Sequence, residues 1–512
     1  MGTQVSGTVI SGDRRQDAAG LLEDAGRLAS RLAQAGVGAD DTVALILRND
    51  IAFITASVAA NMLGATAVPV NWHFTAPEAA YVIADCDARA VIVHADLWRR
   101  IAPDLPADLL AGKLVIVVPT PPELAAAYRV SPEDGTAPQG AESLDAILQS
   151  CLPLSVEKPA PRTAMIYTSG TTGNPKGVRR LGTSVPSKYG YSAIFKPGVR
   201  TLLPTPLYHS APNRFGVMTF ACGGDLVVMP RFDPEELLRL VERHRITAMF
   251  IVPTMLVRLL KLPPEVRARY DVSSLSDVVC AGAPCPFEAK RGIIEWWGPC
   301  FHEFYGSTET GALTWCTSAE ALDRPGTVGR AVPDATIKVY DEAGQECPPD
   351  TPGEVFGRLS GNADFTYHKR PEDRAAVEHE GLITSGDIGY LDADGYLFLS
   401  DRKRDMIIAG GVNIYPAHIE EAILTCPGVV DVAVFGIPDD EMGEAICAVV
   451  APQPGGPAVD EATLRAHLSD RIARYMLPRE IVIDPALPRD ASGKVYKRKL
   501  RDRYWSDTGR AI

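Results

Sequence analysis

The chain has 512 residues, of which 46% are apolar and 22% charged, and its formal charge is −13. Such a composition reads as an ordinary soluble globular protein with room for a large core and, by length, about two to four domains. The acidic surplus excludes indiscriminate binding to nucleic acid or anionic membrane, so a phosphate-bearing ligand must be held by a local site.

The N-terminus begins Met1-Gly2-Thr3-Gln4-Val5, with neither a basic flank nor an apolar run, so no secretory signal is read and the cytoplasm is the expected compartment. Ten cysteines are scattered without a C-x-x-C pair, which predicts reduced, structural thiols. In chain order, Leu21, Ala25, Leu28 and Leu32 recur with helical spacing up to Gly36-Val37-Gly38, and a strand follows over 42–47. Residues 51–70 carry no charge and match the length of a membrane span, but small residues and Pro69 favour a buried helix running into a strand. The runs 90–93, 114–118, 226–229 and 248–252 are continuously apolar, as in strands buried on both faces. With helices expected over 234–243 and 253–261, they predict α/β layers. Residues 119–144, rich in Pro, Ala, Gly and Glu, read as a surface excursion. Further on, a hairpin turn at 392–396 and the charge run 401–405 precede a set with its own pattern: helix 413–424, strands 429–434 and 445–450, helix 460–474. The expected fold is therefore α/β, a large N-terminal domain of layered α/β subdomains (1–403) followed by a small mobile α+β C-terminal domain (404–512). No integral membrane segment is expected.

Chemistry enters at Tyr167-Thr168-Ser169-Gly170-Thr171-Thr172-Gly173-Asn174-Pro175-Lys176-Gly177, just after a short apolar strand over 164–167. Glycines let backbone N–H groups turn inward, hydroxyls add donors at small steric cost, and Lys176 adds charge, so the loop suits a phosphate. Its spacing is not that of a Walker A loop. A G-x-S-x-G nucleophile elbow is also missing, which sets aside one common hydrolase design.

That loop resembles the signature of the adenylate-forming superfamily, which includes the acyl-CoA synthetases. Further motifs follow in the family's order: Pro206-Leu207-Tyr208-His209, Ala281-Gly282-Ala283-Pro284, Tyr305-Gly306-Ser307-Thr308-Glu309, Thr384-Ser385-Gly386-Asp387, Asp401-Arg402-Lys403-Arg404-Asp405 and Ser492-Gly493-Lys494. The resemblance implies an ATP-dependent acid:CoA ligase that forms acyl-AMP and pyrophosphate, then the acyl thioester and AMP. It implies ATP, Mg²⁺ and coenzyme A, with Thr168, Ser169, Gly170, Thr171, Thr172, Gly173 and Lys176 around the phosphates. Glu309 would hold the magnesium and Thr308 would meet the α-phosphate. Tyr305 would stack on adenine, Gly282, Ala283 and Pro284 would wall its opposite side, and Gly306 belongs to the same cofactor-binding set. Asp387 and Arg402 would bind ribose. Lys494 would bridge the substrate carboxylate and the α-phosphate, Arg404 would be the hinge, and Gly410 and Gly411 would face the pantetheine. His209 would gate the thiol's path, and Tyr475 and Arg479 would meet the CoA nucleotide. Two departures are Ser385, where the family often has Thr, and Arg404, where Asp or Lys is common.

By the same resemblance the acyl pocket lies along 210–218, 280–286 and 311–315. These segments are mostly small or apolar, favouring a fatty or aromatic acid. Arg214 is expected at the surface; turned inward, it would pair with a substrate anion. Two other readings stay open: a stand-alone adenylating enzyme that loads a separate carrier protein, and a catalytically silent nucleotide-binding protein. The expected partners are the small-molecule acid, ATP and CoA, with a monomer or homodimer.

Overall fold

The computed structural model describes residues 6–154, 163–168, 174–182, 184–185, 188–402, 405–409, 412–439, 442–469, 471–489 and 495–505, with backbone alone at 401, 402, 408, 412, 413 and 498. Packing divides the chain into two compact units. One comprises Met1–Asp323, Ala331–Thr336 and Arg358–Ile383; the other comprises Arg324–Arg330, Ile337–Gly357 and Thr384–Ile512.

The apolar runs form two mainly parallel sheets in the first unit. One sheet orders Thr66–Pro69, Thr42–Ile46, Ala88–His94, Leu114–Val118 and Glu142–Ser143 side by side, all parallel. In the other, Thr8–Ser11, Asp225–Val228, Arg200–Leu203, Ala248–Ile251, Asp277–Cys280 and Phe301–Glu303 are parallel neighbours, and Thr314–Thr317 pairs antiparallel with Phe301–Glu303. The strands Thr42–Ile46 and Ala248–Ile251 are buried at every residue, which is why, after Thr42, their sequences are apolar runs rather than alternating ones.

Helix Ala18–Gln34 starts where the Asp17 side chain accepts the Gly20 N–H, and it lays Leu21, Ala25, Leu28 and Leu32 against the core. Each of its buried leucines contributes about 1.5–3 kcal/mol. The uncharged stretch becomes helix Ile51–Met62, buried almost all round, followed by strand Thr66–Pro69. Among the described residues no helix is long and apolar enough to cross a membrane. The excursion over 119–144 is more ordered than its composition suggests. Pro122 opens a helix, Pro122–Tyr128, where a missing N–H costs nothing. Tyr128 then donates to the Pro230 carbonyl at 2.9 Å and lies under the Arg48 guanidinium, 4.3 Å away.

Asn49 joins the two sheets. Its amide nitrogen donates to the carbonyls of Thr205, Met229 and Leu203 at 2.9, 3.2 and 3.4 Å, and its oxygen accepts the Leu207 N–H at 2.9 Å. The residue is only 5% exposed, so every polar atom needs such a partner.

The second unit holds Tyr396–Arg402 and most of Thr327–Ala331, Leu382–Leu391, Gly353–Leu359 and Ala335–Tyr340; in the order Thr327–Ala331, Tyr396–Arg402, Leu382–Leu391, Gly353–Leu359, Ala335–Tyr340 they are successive neighbours in a sheet. A smaller sheet orders Val412–Ile414, Ile407–Ala409, Gly443–Pro452 and Val429–Asp439, and Glu480–Ile483 runs parallel to Gly443–Pro452. The helix expected over 413–424 begins later, as Pro416–Leu424, because the proline at its first position holds Tyr415 extended and leaves 412–414 to pair as a strand. The helix expected over 460–474 is Glu461–Ser469, and a separate short 3₁₀ turn forms at Arg474–Met476.

Candidate functional site

The phosphate-type loop leaves from a three-stranded antiparallel sheet: Ile166–Thr168, Lys176–Leu181 and Asp364–Tyr367. Thr168 lies opposite Lys176 in register, so these two residues form the mouth of the loop. Both flanks are anchored. The Tyr167 hydroxyl donates to Asp85 at 2.6 Å, and the Tyr81 hydroxyl donates to the Pro175 carbonyl at 3.3 Å while accepting from Arg370 at 2.8 Å. Ser169, Gly170, Thr171, Thr172 and Gly173 lie outside the described residues, as do Arg404, Gly410, Gly411 and Lys494.

Lys176 points its amine at the Asp373 carboxylate, 2.9 Å away, and over the ring of Tyr367 at 5.3 Å. Tyr367 donates its hydroxyl to Glu309 Oε1 at 3.0 Å. Burial first, and the Glu309 carboxylate second, push the phenol's pKa up, so it remains a donor at neutral pH. Thr308 donates to the Ser210 hydroxyl at 3.0 Å, and its carbonyl accepts from Arg180. Arg180 also donates to the Ala363 carbonyl at 3.1 Å. Burial lowers the Arg180 pKa while the charge of Glu309 opposes that, and Arg214 adds a smaller repulsion. The structure thus brings Thr168, Lys176, Thr308 and Glu309 into one unit, through Tyr367, Asp373 and Arg180, which sequence reasoning missed.

The hairpin that carries Glu309 is tightly built. Gly306 pairs with Ala312 and Ser307 with Gly311, and a Cβ on Gly306 would stand 2.0 Å from the Gly311 carbonyl oxygen. Only glycine fits there. The Tyr305 N–H is held by Thr314 Oγ1 at 2.8 Å. Upstream, Lys290 pairs with Glu303, both side chains 2% exposed, tying helix Phe287–Trp297 to the end of strand Phe301–Glu303, two residues before Tyr305. Burial pushes the Glu303 carboxyl up, against the pull of Lys290. Gly282 adopts φ +91°, a left-handed turn at the start of the Gly282-Ala283-Pro284 stretch.

His209 caps helix Ser210–Ala221 with its ring 4.4 Å from that of Tyr208, and Asn49 fixes the turn leading to it by accepting from Leu207. Arg214, on the same helix, is not the surface residue expected. It is half-buried, with Nε fully enclosed, and it lines a narrow recess with Tyr191, Ala312, Thr314, Val332 and Leu359. Of the residues expected to line the acyl pocket, Arg214, Ala312 and Thr314 line this recess; Tyr191, Val332 and Leu359 were not foreseen.

In the second unit, Asp387 stands opposite Arg402 in register across two antiparallel strands, and Asp387 is half-buried. This unit also holds Tyr475, which is exposed, and Arg479, which pairs with Asp439. Among the described residues no group of three or more His, Cys, Asp or Glu side chains could hold a metal alone. The donors at the Glu309 end of the site, one carboxylate flanked by hydroxyls, fit a hard cation that arrives with substrate phosphates, since Mg²⁺ commonly takes only one or two protein carboxylates.

A layered α/β unit with a hydroxyl- and lysine-bearing loop beside a glutamate hairpin, together with a smaller α+β sheet, is the design of adenylate-forming enzymes. The profile of the AMP-binding enzyme family matches residues 5–363, and that of the AMP-binding enzyme C-terminal domain matches 418–494. The chain belongs to this family. It is 32% identical over 506 residues to the long-chain-fatty-acid–CoA ligase FadD13 of Mycobacterium tuberculosis, covering 96% of this chain and 94% of that one. It is 33% identical over 485 residues to a feruloyl-CoA synthase of an Amycolatopsis species, covering 93% and 92%. The ATP-bound structure of MatB from Rhodopseudomonas palustris superposes with a TM-score of 0.80 at 26% identity, covering 100% of this chain and 98% of that one. The protein is an AMP-forming acid:CoA ligase that uses ATP and CoA.

Proposed function

We propose that this ligase activates a carboxylic acid with a mainly apolar body, fatty or aromatic, with Glu309 and Lys494 at the centre of the adenylation step. The observation that carries the adenylation part of the reading is the line Asp373, Lys176, Tyr367, Glu309, which sets a cation and a carboxylate at the mouth of a phosphate-type loop.

In the first half-reaction the substrate carboxylate oxygen attacks the α-phosphorus of ATP and pyrophosphate leaves. Such a reaction needs positioning and charge neutralisation above all. Lys176 and the N–H groups of the 169–173 loop receive phosphate oxygens, and Thr308 meets the α-phosphate. Bound at Glu309, Mg²⁺ would neutralise phosphate charge; the Tyr367 hydroxyl fixes that carboxylate's orientation. Tyr305 and Gly306, with Gly282, Ala283 and Pro284, flank adenine, while Asp387 and Arg402 hold ribose. Lys494 supplies a positive charge to the developing mixed anhydride.

In the second half-reaction the CoA thiol attacks the acyl carbon and AMP leaves. We assign His209 to the gate on the thiol's path, Gly410 and Gly411 to the pantetheine, and Tyr475 and Arg479 to the CoA nucleotide. Arg404 is the hinge, with the domain boundary at 403/404, so a proline at 404 slows thioester formation selectively. The ten cysteines are all free thiols, which suits a reducing, cytoplasmic setting.

The decisive test is a panel of fatty, aryl and short polar acids with ATP, with and without CoA, read by AMP and pyrophosphate release. Apolar acids should give CoA-dependent AMP formation. Turnover that required a carrier protein in place of CoA, or short polar acids outrunning all others, would overturn the reading.

A further inference from the structure

Resting on that reading, we propose that Arg214 is a specificity-determining residue: the apolar body of the substrate carries a second oxygen acceptor, a carbonyl or carboxylate oxygen remote from the reacting carboxyl, and Arg214 binds it.

The placement follows from helix geometry. Ser210 and Arg214 are four residues apart in helix Ser210–Ala221 and so share a face. Ser210 accepts from Thr308, the residue next to Glu309, so the start of this face touches the reacting end of the site. One turn further along lies Arg214, in the recess walled by Tyr191, Ala312, Val332 and Leu359. Tyr189, Ser192 and Thr314 add hydroxyls to the lining, and Arg214 is its one charged group; a few placed polar groups in such a pocket are how proteins fix the orientation of a ligand.

The guanidinium also lacks an acceptor of its own. Among the described residues Arg214 makes no hydrogen bond or ion pair, and its Nε is fully enclosed. The neighbouring Arg180 is occupied with the carbonyls of Thr308 and Ala363 and only adds to the positive field. The nearby hydroxyl of Thr314 is already engaged by the Tyr305 N–H. With Nε enclosed, the two Nη atoms are the donors left to face the recess, and a ligand that displaces water from them must return an acceptor or bear the cost of stripping it. A plain hydrocarbon tail would leave them stranded. Discrimination by a site built to hydrogen-bond a substrate group is much steeper than discrimination by apolar fit.

The experiment compares acids of equal chain length: one plain, one with an internal oxo group, and one with a terminal carboxylate. Each is assayed by CoA-dependent AMP release and by the thermal shift it causes in the ATP-loaded protein, for the wild type, Arg214→Leu and Arg214→Lys. The expected result is that the wild type favours at least one oxygen-bearing acid over the plain acid by about 10-fold or more in kcat/KM. Arg214→Leu should bring that ratio close to one, and Arg214→Lys should keep part of it. The oxo and dicarboxylic arms separate a neutral acceptor from an anionic one. The inference is overturned if the wild type prefers the plain acid, or if Arg214→Leu lowers all three acids by the same factor. Should none of the acids release AMP, the substrate reading fails, and the thermal shift then decides the role of Arg214. A shift from an oxygen-bearing acid that Arg214→Leu abolishes supports it; equal shifts in wild type and variant refute it.

Discussion

Lys290 and Lys176 each meet a carboxylate in the same unit, yet the two pairs do different work. Lys290 and Glu303 are both 2% exposed, whereas the Lys176 side chain is 12% and its partner Asp373 32% exposed. Neither member of the first pair can return to water without unfolding, so it is a fixed tie beneath the strand that ends before Tyr305. Asp373 is wet enough to be left alone cheaply, so under the proposed function the Lys176 amine would exchange a carboxylate for a phosphate. Solvent access thus separates a structural ion pair from an exchangeable one.

Four variants break or sharpen that contrast. Lys290→Ala should have the largest effect on the fold, about 3–5 kcal/mol lost in urea unfolding, because it strands a buried carboxylate. The double variant Lys290→Met with Glu303→Leu should recover most of that loss, and a cost equal to the single variant's would show that the charges themselves are needed. Next, Lys494→Ala should lower carboxylate-dependent pyrophosphate exchange by about 10²–10³. It should spare thioester formation from supplied acyl-AMP; equal loss of both half-reactions would remove Lys494 from the adenylation step. Tyr367→Phe keeps the ring under Lys176 but deletes the donor to Glu309. Removing a partner that orients a metal-binding carboxylate typically costs about 10–100-fold in metal affinity, so the Mg²⁺ concentration for half-maximal exchange should rise about tenfold or more, beyond any fall in melting temperature. A fall in melting temperature with no change in Mg²⁺ dependence would make Tyr367 merely structural.

The smallest effect is expected at acid pH, far from the site. Asp50 is 1% exposed and sits 3.2 Å from His94 Nε2, with Arg14 on its other oxygen. Burial alone would raise its pKa, but His94 and Arg14 outweigh that and hold it below the ordinary 3.8. A depressed carboxylate stabilises the fold above its unfolded value and loses that contribution as pH falls through its folded value. Asp50→Asn should therefore flatten the stability curve below about pH 4, measured by thermal melts against pH. An unaltered acid limb would contradict this.

Much of this architecture was legible in the chain. The parallel strands announced themselves because burial on both faces leaves no room for polar residues, and Thr168, Lys176, Thr308 and Glu309 stood in recognisable loops. What could not be read were contacts made across long separations. Tyr367 and Asp373 reach Lys176 from strand Asp364–Tyr367 and the helix after it, and nothing local to either residue signals the meeting. Arg214 was misplaced for a different reason. Its helix buries Pro212, Asn213, Phe215, Gly216 and Thr219, so residues on several sides are enclosed and polarity did not single out an outer face. The late start of helix Pro416–Leu424 was readable from Pro416, whose ring keeps the preceding residue extended.

The Asn49 junction would also suffer from chemical damage to its amide. Hydrolysis of that amide to an acid would replace a donor shared by the carbonyls of Leu203, Thr205 and Met229 with a negative oxygen facing them, while sparing the Leu207 contact. Enclosure shields the amide in the native protein, so the damage accrues during time spent unfolded. Material refolded after prolonged denaturation would regain its sheets yet carry a loosened segment ahead of His209, a lesion of one dalton that a stability assay alone would underrate.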